Sequence, residues 1–136
     1  MAYKILVVDD EPEVLNVLQS YLQQRGFEVV TAADPETALE LMCNDRFQVA
    51  LVDINLPRMS GVQLLKQMKG ISPTMQVMMM TAYSKIETAI QCLEAGATDY
   101  FVKPFHALSE VAATVQAACE RVTRWENATR YYRPGP

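Results

Sequence analysis

Asp9 and Asp10, Asp53, Thr81 and Lys103 each stand immediately after a short run of apolar residues. Carboxylates, a hydroxyl and an amine make a set with a definite chemical use if they meet. Two carboxylates about 4 Å apart repel by roughly 4 kcal/mol at an effective dielectric near 20, so three acids in one place need protons or a cation. Hard carboxylate oxygens select Mg²⁺, or Mn²⁺ in its stead. Beside such a cation one carboxylate can attack an incoming phosphoryl group, and an ammonium and a hydroxyl suit the charge spread over the transferred oxygens.

These side chains can converge only if the runs before them are neighbouring strands of one sheet. Residues 3–8, 27–31, 48–52, 75–80 and 99–102 read as strands, the third of them a continuous apolar run from Val49 to Val52. Between them lie helical patterns. Val14, Leu15, Val17, Leu18, Tyr21 and Leu22 recur at three- and four-residue spacing after Pro12, with Gly26 as the stop. Asp34 and Pro35 open a second helix over 36–43, and a loop holding Pro57 and Gly61 leads to a third over 62–69. Ser84 with Glu87 forms a capping-box pattern for a fourth helix that runs to Ala95, and a fifth runs from about Ala107 past Arg121.

Strands apolar on both faces, alternating with helices of ten or more residues, call for a parallel sheet covered on both sides. The expected fold is a single doubly wound α/β domain of five βα units. Ligands of such sheets bind beyond the carboxyl ends of the strands, which is where the acids, Thr81 and Lys103 fall.

Composition narrows the function. The 136 residues carry a net charge of −4, with scattered Lys and Arg, which argues against direct nucleic-acid binding. The longest apolar stretches, such as 49–52 and 77–80, are far too short to span a membrane, and residues 1–10 lack the pattern of a signal peptide, so a cytoplasmic protein is expected. Cys43, Cys92 and Cys119 are widely spaced and read as buried, reduced thiols. Met78, Met79 and Met80 read as strand packing, because adjacent residues face opposite sides of a sheet. His106 reads as a solvated first-turn residue of the last helix.

Asp9 and Asp10, Asp53 followed by Pro57 and Gly61, Thr81 with Ala82, and Lys103 with Pro104 and Phe105 together resemble the receiver domain of bacterial two-component response regulators. The resemblance extends over residues 3–121, with 122–136 as a helical extension and a frayed tail or truncated linker. It implies a flavodoxin-like fold of the chemotaxis-receiver type with strand order 2-1-3-4-5. It implies Asp53 as phosphoacceptor, with Asp9, Asp10, Asp53 and the backbone carbonyl of Asn55 holding Mg²⁺. It further implies Lys103 pairing with the phosphoryl group, a cis bond between Lys103 and Pro104, Gly61 in a structural role, and Thr81 and Tyr100 as a coupled switch that remodels the surface around helix four, strand five and helix five. Asn55 and Tyr83 are similar in position to residues that tune water's access to the acyl phosphate, and the bulk of Tyr83 points to a longer-lived signal. The implied partners are a sensor histidine kinase or phosphotransfer protein and an output domain or docking target.

The resemblance makes the chain a switch that catalyses only its own phosphorylation and dephosphorylation. A dehalogenase-type phosphatase would need a second acid two residues after the nucleophile, where Asn55 stands. The sequence from Asp9 to Pro12 is no glycine-rich nucleotide loop. The spacing of Leu108, Val111, Val115, Ala118, Val122 and Trp125 leaves two expectations open: a projecting coiled coil that mediates a homodimer, or a helix with Trp125 folded back over the domain.

Overall fold

The three central strands form where β-branched or long apolar side chains are buried on both faces, and the two edge strands are only partly buried. In the computed structural model, which describes residues 2–82, 85–105 and 107–130, the strands are β1 (Lys4–Val8), β2 (Glu28–Ala32), β3 (Val49–Asp53), β4 (Gln76–Thr81) and β5 (Asp99–Val102). They alternate with the helices α1 (Pro12–Gln24), α2 (Pro35–Asn44), α3 (Gly61–Ile71), α4 (Ile86–Glu94) and α5 (Leu108–Arg130). The strands form one parallel sheet in the order β2-β1-β3-β4-β5. Register sets the carboxyl ends level: Val8 pairs with Ala32 and Val52, Asp53 with Met80, and Thr81 with Val102.

The period of two along each strand divides the core. Leu6, Val8, Val52, Val77 and Met79 face one side, against Ala38 and Met42 of α2, Leu64, Leu65 and Met68 of α3 and Cys92 of α4. Ile5, Val7, Leu51, Met78 and Met80 face the other, against Leu18 and Leu22 of α1 and Val111, Val115 and Ala118 of α5. The three consecutive methionines are therefore packing, as their alternation predicts. Each large side chain so buried contributes about 1.5–3 kcal/mol, an upper figure for a real unfolded chain.

Side-chain caps start two of the helices. Asp34 accepts from the Thr37 amide at 2.7 Å with Pro35 in the first turn. Ser60 and Gln63 form a reciprocal capping box that starts α3 earlier than the sequence pattern indicates. The box expected at the start of α4 pairs Ser84 with Glu87. Ser84 lies outside the described residues, and the N-cap is Lys85, in an extended conformation, with no side-chain cap. Cys43 is also corrected: Met42 takes the inward position on α2, which leaves Cys43 exposed, whereas Cys92 and Cys119 are buried. Burial pushes the Cys119 thiol up to about 12.

Along α5, Val111, Val115, Ala118 and Val122 are all buried within the chain's own fold. The stripe that would form a coiled-coil seam is thereby spent on the domain itself. Trp125 lies beyond it and stays 43% exposed. The distal turns are also tied to the domain, by Thr123 donating to the Tyr3 hydroxyl at 3.4 Å and by an ion pair between Arg46 and Glu126.

The loop from β3 to α3 is drawn tightly over the end of β3. The Gly61 amide donates to the Ile54 carbonyl at 2.7 Å. A Cβ on Gly61 would stand 2.4 Å from the Asp53 carbonyl oxygen and 2.5 Å from the Ile54 Cα. Within the loop Arg58 has φ +67° and grips Glu36 of α2 through two bonds of 3.0 and 2.9 Å. The Arg58 hydrogen bond is the main cause that holds the Glu36 carboxyl down to about 2.

Two measurements test this account. Gly61→Ala should lower stability in urea unfolding by about 1–3 kcal/mol, because the obstacle is backbone and cannot step aside. Titration of Glu36 followed by NMR should give a midpoint near 2, moving back toward the ordinary carboxylate range in Arg58→Ala. Since the folded value lies below the unfolded one, near 4.3, the stabilisation from this pair is complete above that pH and is lost as pH falls through about 2.

Candidate functional site

Past the end of β1 the Asp9 amide still donates to the Ala32 carbonyl at 3.1 Å, which extends the ladder by one residue and buries Asp9 completely. The chain then turns: Asp9 Oδ1 accepts from the Glu11 amide at 2.9 Å, and Pro12 begins α1. Asp10 and Glu11 remain exposed at the surface of this turn. Asp53 is the last residue of β3 and 3% exposed, and its Oδ1 accepts from the Asn55 amide at 3.2 Å.

Lys103 follows β5, where its amide donates to the Thr81 carbonyl at 2.7 Å, and the Lys103–Pro104 peptide bond is cis. Its Nζ lies 2.6 Å from Asp9 Oδ2, 3.2 Å from Asp53 Oδ2 and 3.4 Å from Glu11 Oε1. One ammonium therefore joins two buried acids that are 44 positions apart in the chain.

Electrostatics follows from that geometry. Burial pushes the Asp53 carboxyl up, and the neighbouring Asp9 charge adds to the push, while the Asn55 amide and Lys103 pull the other way and are outweighed. Burial lowers Lys103, yet the hydrogen bond to Asp9 and the charges of Asp53 and Asp9 raise it overall, so it is a cation at neutral pH. Asp9, Asp10, Glu11 and Asp53 each offer a carboxylate oxygen, all within 4.8 Å of one another. Four clustered carboxylates, three of them in contact with the Lys103 ammonium, leave a strong excess of negative charge. An all-oxygen set of this kind fits a small hard divalent cation such as Mg²⁺.

Thr81, at the end of β4, is buried at 1% exposure. Tyr100, on the adjacent β5, is half-buried, with a buried hydroxyl that makes no well-formed hydrogen bond among the described residues. Burial raises the Tyr100 pKa, and the nearby Thr81 side chain acts against that rise. Asn55 touches Asp53 through its backbone, with an exposed side chain. Tyr83 and His106 lie outside the described residues.

Glu11 is not among the site residues expected from the sequence. Its position directly after the acid pair, with Pro12 fixing the turn, marks it as a neighbour of the site, whereas its contact with Lys103 appears only in the structure. A groove of about 420 Å³ opens beside Lys103, lined by Glu11, Glu13, Val14 and Val17 of the α1 side and by Phe105 and Leu108 at the start of α5.

The model of the response regulator receiver domain matches residues 5–116. The regulatory protein AtoC of Escherichia coli K12 is 40% identical over 117 residues, which are 86% of this chain and 25% of that protein. The chain thus spans about a quarter of the length of the first curated relatives it matches. Among solved structures, a CheY-like receiver domain from Methanospirillum hungatei JF-1 superposes with a TM-score of 0.87 at 31% identity, over 91% of this chain and 98% of that one. NtrX from Brucella abortus, solved in complex with ADP, gives 0.89 at 30% identity over 99% of this chain and 31% of its own. With the acid pair, Asp53, Thr81 and Lys103 brought to one edge of a 2-1-3-4-5 sheet, the chain belongs to the response regulator receiver family, the phosphoacceptor signalling domain of two-component systems.

Proposed function

We propose that Asp53 is the phosphoacceptor, and the observation that carries this is the Lys103 ammonium held between Asp9 and Asp53 at 2.6 and 3.2 Å. An Asp53 carboxylate oxygen attacks the phosphorus of a phosphohistidine on a sensor kinase or phosphotransfer protein, or of a small acyl phosphate. As the new oxygen–phosphorus bond forms, the donor's nitrogen–phosphorus or oxygen–phosphorus bond breaks, and the electron pair leaves on the imidazole or the carboxylate. Lys103 follows the transferred charge from the carboxylate to the phosphoryl oxygens, and the Thr81 hydroxyl supplies a second donor to them.

Asp9, Asp10, Asp53 and the Asn55 carbonyl would hold Mg²⁺ or Mn²⁺, with Glu11 at the edge of the set. When bound, the ion neutralises the acids and the charge that develops on the phosphoryl group. The same residues let the domain catalyse its own phosphorylation and the later hydrolysis.

Phosphorylation would draw Thr81 toward the phosphoryl group and let the Tyr100 ring move, which alters the surface of α4, β5 and α5. The near approach of Thr81 to the Tyr100 hydroxyl supports this coupling. The groove between α1 and the start of α5 supports docking of the phosphodonor there. An output domain or docking target reads the altered surface, and from residue 122 the last helix extends beyond a domain of residues 1–121, while residues 131–136, expected from the sequence to be a frayed tail or linker, lie outside the described residues. The exposed Trp125 supports a homodimer through the distal part of α5. The reading includes a cytoplasmic location; no helix among the described residues is long and apolar enough to cross a membrane.

Incubation with acetyl phosphate and Mg²⁺ should add one phosphoryl group by intact mass, and Asp53→Asn should take none. Addition to that variant, or none to the wild type, contradicts the assignment. We also propose that the Tyr83 ring hinders water, so that Tyr83→Ala loses its phosphoryl group faster; an unchanged decay would remove that role.

A further inference from the structure

Glu11 is the acid of the cluster to which the phosphoacceptor reading gives no definite task. It occupies the N-cap of α1 with φ −92° and ψ 113°, yet its side chain makes no capping bond. An oxygen at this position ordinarily accepts from an amide of the first helical turn. Here the carboxylate goes elsewhere, and Oε1 lies 3.4 Å from Lys103 Nζ. The Glu11 side chain is 60% exposed, whereas those of Lys103 and Asp9 are 9% and 0% exposed. Lys103 thus has two inner carboxylate partners and one outer partner at the mouth of the site. Glu11 and Glu13 also line the groove that opens there.

We propose that Glu11 is a positioning residue that brakes phosphoryl uptake: its carboxylate retains the Lys103 ammonium at the mouth and repels arriving anionic phosphodonors. This inference rests on Asp53 being the phosphoacceptor. Lys103 must attend the transferred phosphoryl oxygens, and every carboxylate that holds it competes for the same ammonium. Asp53 releases it by becoming phosphorylated, and Asp9 releases it as a divalent ion takes up its charge. Glu11 stands at the edge of the acid set with its side chain 60% exposed, so a bound ion takes up less of its charge than of Asp9's and its hold on the lysine persists.

The same negative charge attracts a divalent cation, so removing it acts in opposite directions on two quantities. Metal binding weakens, and at metal saturation phosphoryl uptake accelerates. A residue that merely shapes the α1 turn would not separate the two. Glu11→Gln keeps length and shape and removes only charge, and the side chain has no capping bond to lose.

The test compares wild type with Glu11→Gln in two arms. Calorimetry with Mg²⁺ alone, without phosphodonor, should show affinity reduced about two- to ten-fold in the variant. At saturating Mg²⁺, intact-mass time courses should show phosphorylation by acetyl phosphate about two- to ten-fold faster in the variant. The gain should be smaller with the less negatively charged phosphoramidate, and should shrink as ionic strength rises, because exposed charges are screened. A variant that is no faster at metal saturation, a gain indifferent to salt, or an unchanged Mg²⁺ affinity overturns the brake while leaving the phosphoacceptor reading intact. A wild type that takes up no phosphoryl group overturns that reading and the brake with it.

Discussion

The structure turns on a charge imbalance confined to one edge of the sheet. Asp9 and Asp53 are buried side by side with one ammonium between them, and Asp10 and Glu11 add further negative charge from the surface. In a poorly polarisable surrounding such an arrangement is tolerable only because each buried carboxylate also accepts a backbone amide, Asp9 from Glu11 and Asp53 from Asn55. These bonds fix one oxygen of each acid and leave the other turned toward Lys103. The result is a pair of oriented carboxylates whose remaining demand is for positive charge.

That orientation comes from topology. In a parallel sheet every strand ends at the same edge, and the register of β1, β3 and β4 leaves Asp9, Asp53 and Thr81 at adjacent places. Lys103 enters from β5, two strands away from β3, and reaches back across the top of β4 while its amide is held by the Thr81 carbonyl. Gly61 completes the frame from below. Its missing side chain lets the start of α3 lie directly on the Asp53 backbone, so the acid sits on a rigid support.

Much of this was legible in the sequence because burial on both faces leaves a plain record. The apolar runs before Asp9, Asp53 and Thr81 could only be interior parallel strands, and once they were parallel the residues after them had to meet. Other features lay below that level. The Ser60 and Gln63 box was hidden because its first residue sits in a loop of turn-forming residues. The stripe along α5 has one spacing whether it packs on its own sheet or on another chain, and only coordinates show Val115, Ala118 and Val122 already covered. The aim of Glu11 at Lys103 was not readable either, because it depends on a side-chain rotamer and on Lys103, a residue 92 positions away.

A buried ion pair is a weak source of stability, since the desolvation of both partners offsets much of their attraction. The acids at this edge therefore add little to holding the fold together, and the fold must be stable without them. The two-sided core provides this, with Ile5 to Val8, Val49 to Val52 and Met75 to Met80 almost wholly out of water. Because the core lies along the strands and the charges lie just beyond their ends, the site can change its net charge without disturbing the packing beneath it. This separation suits a switch. The strands stay fixed, and any rearrangement falls on the parts with least core to lose: the exposed turn at Asp10 and Glu11, the loop after β3, and the half-buried Tyr100 beside Thr81.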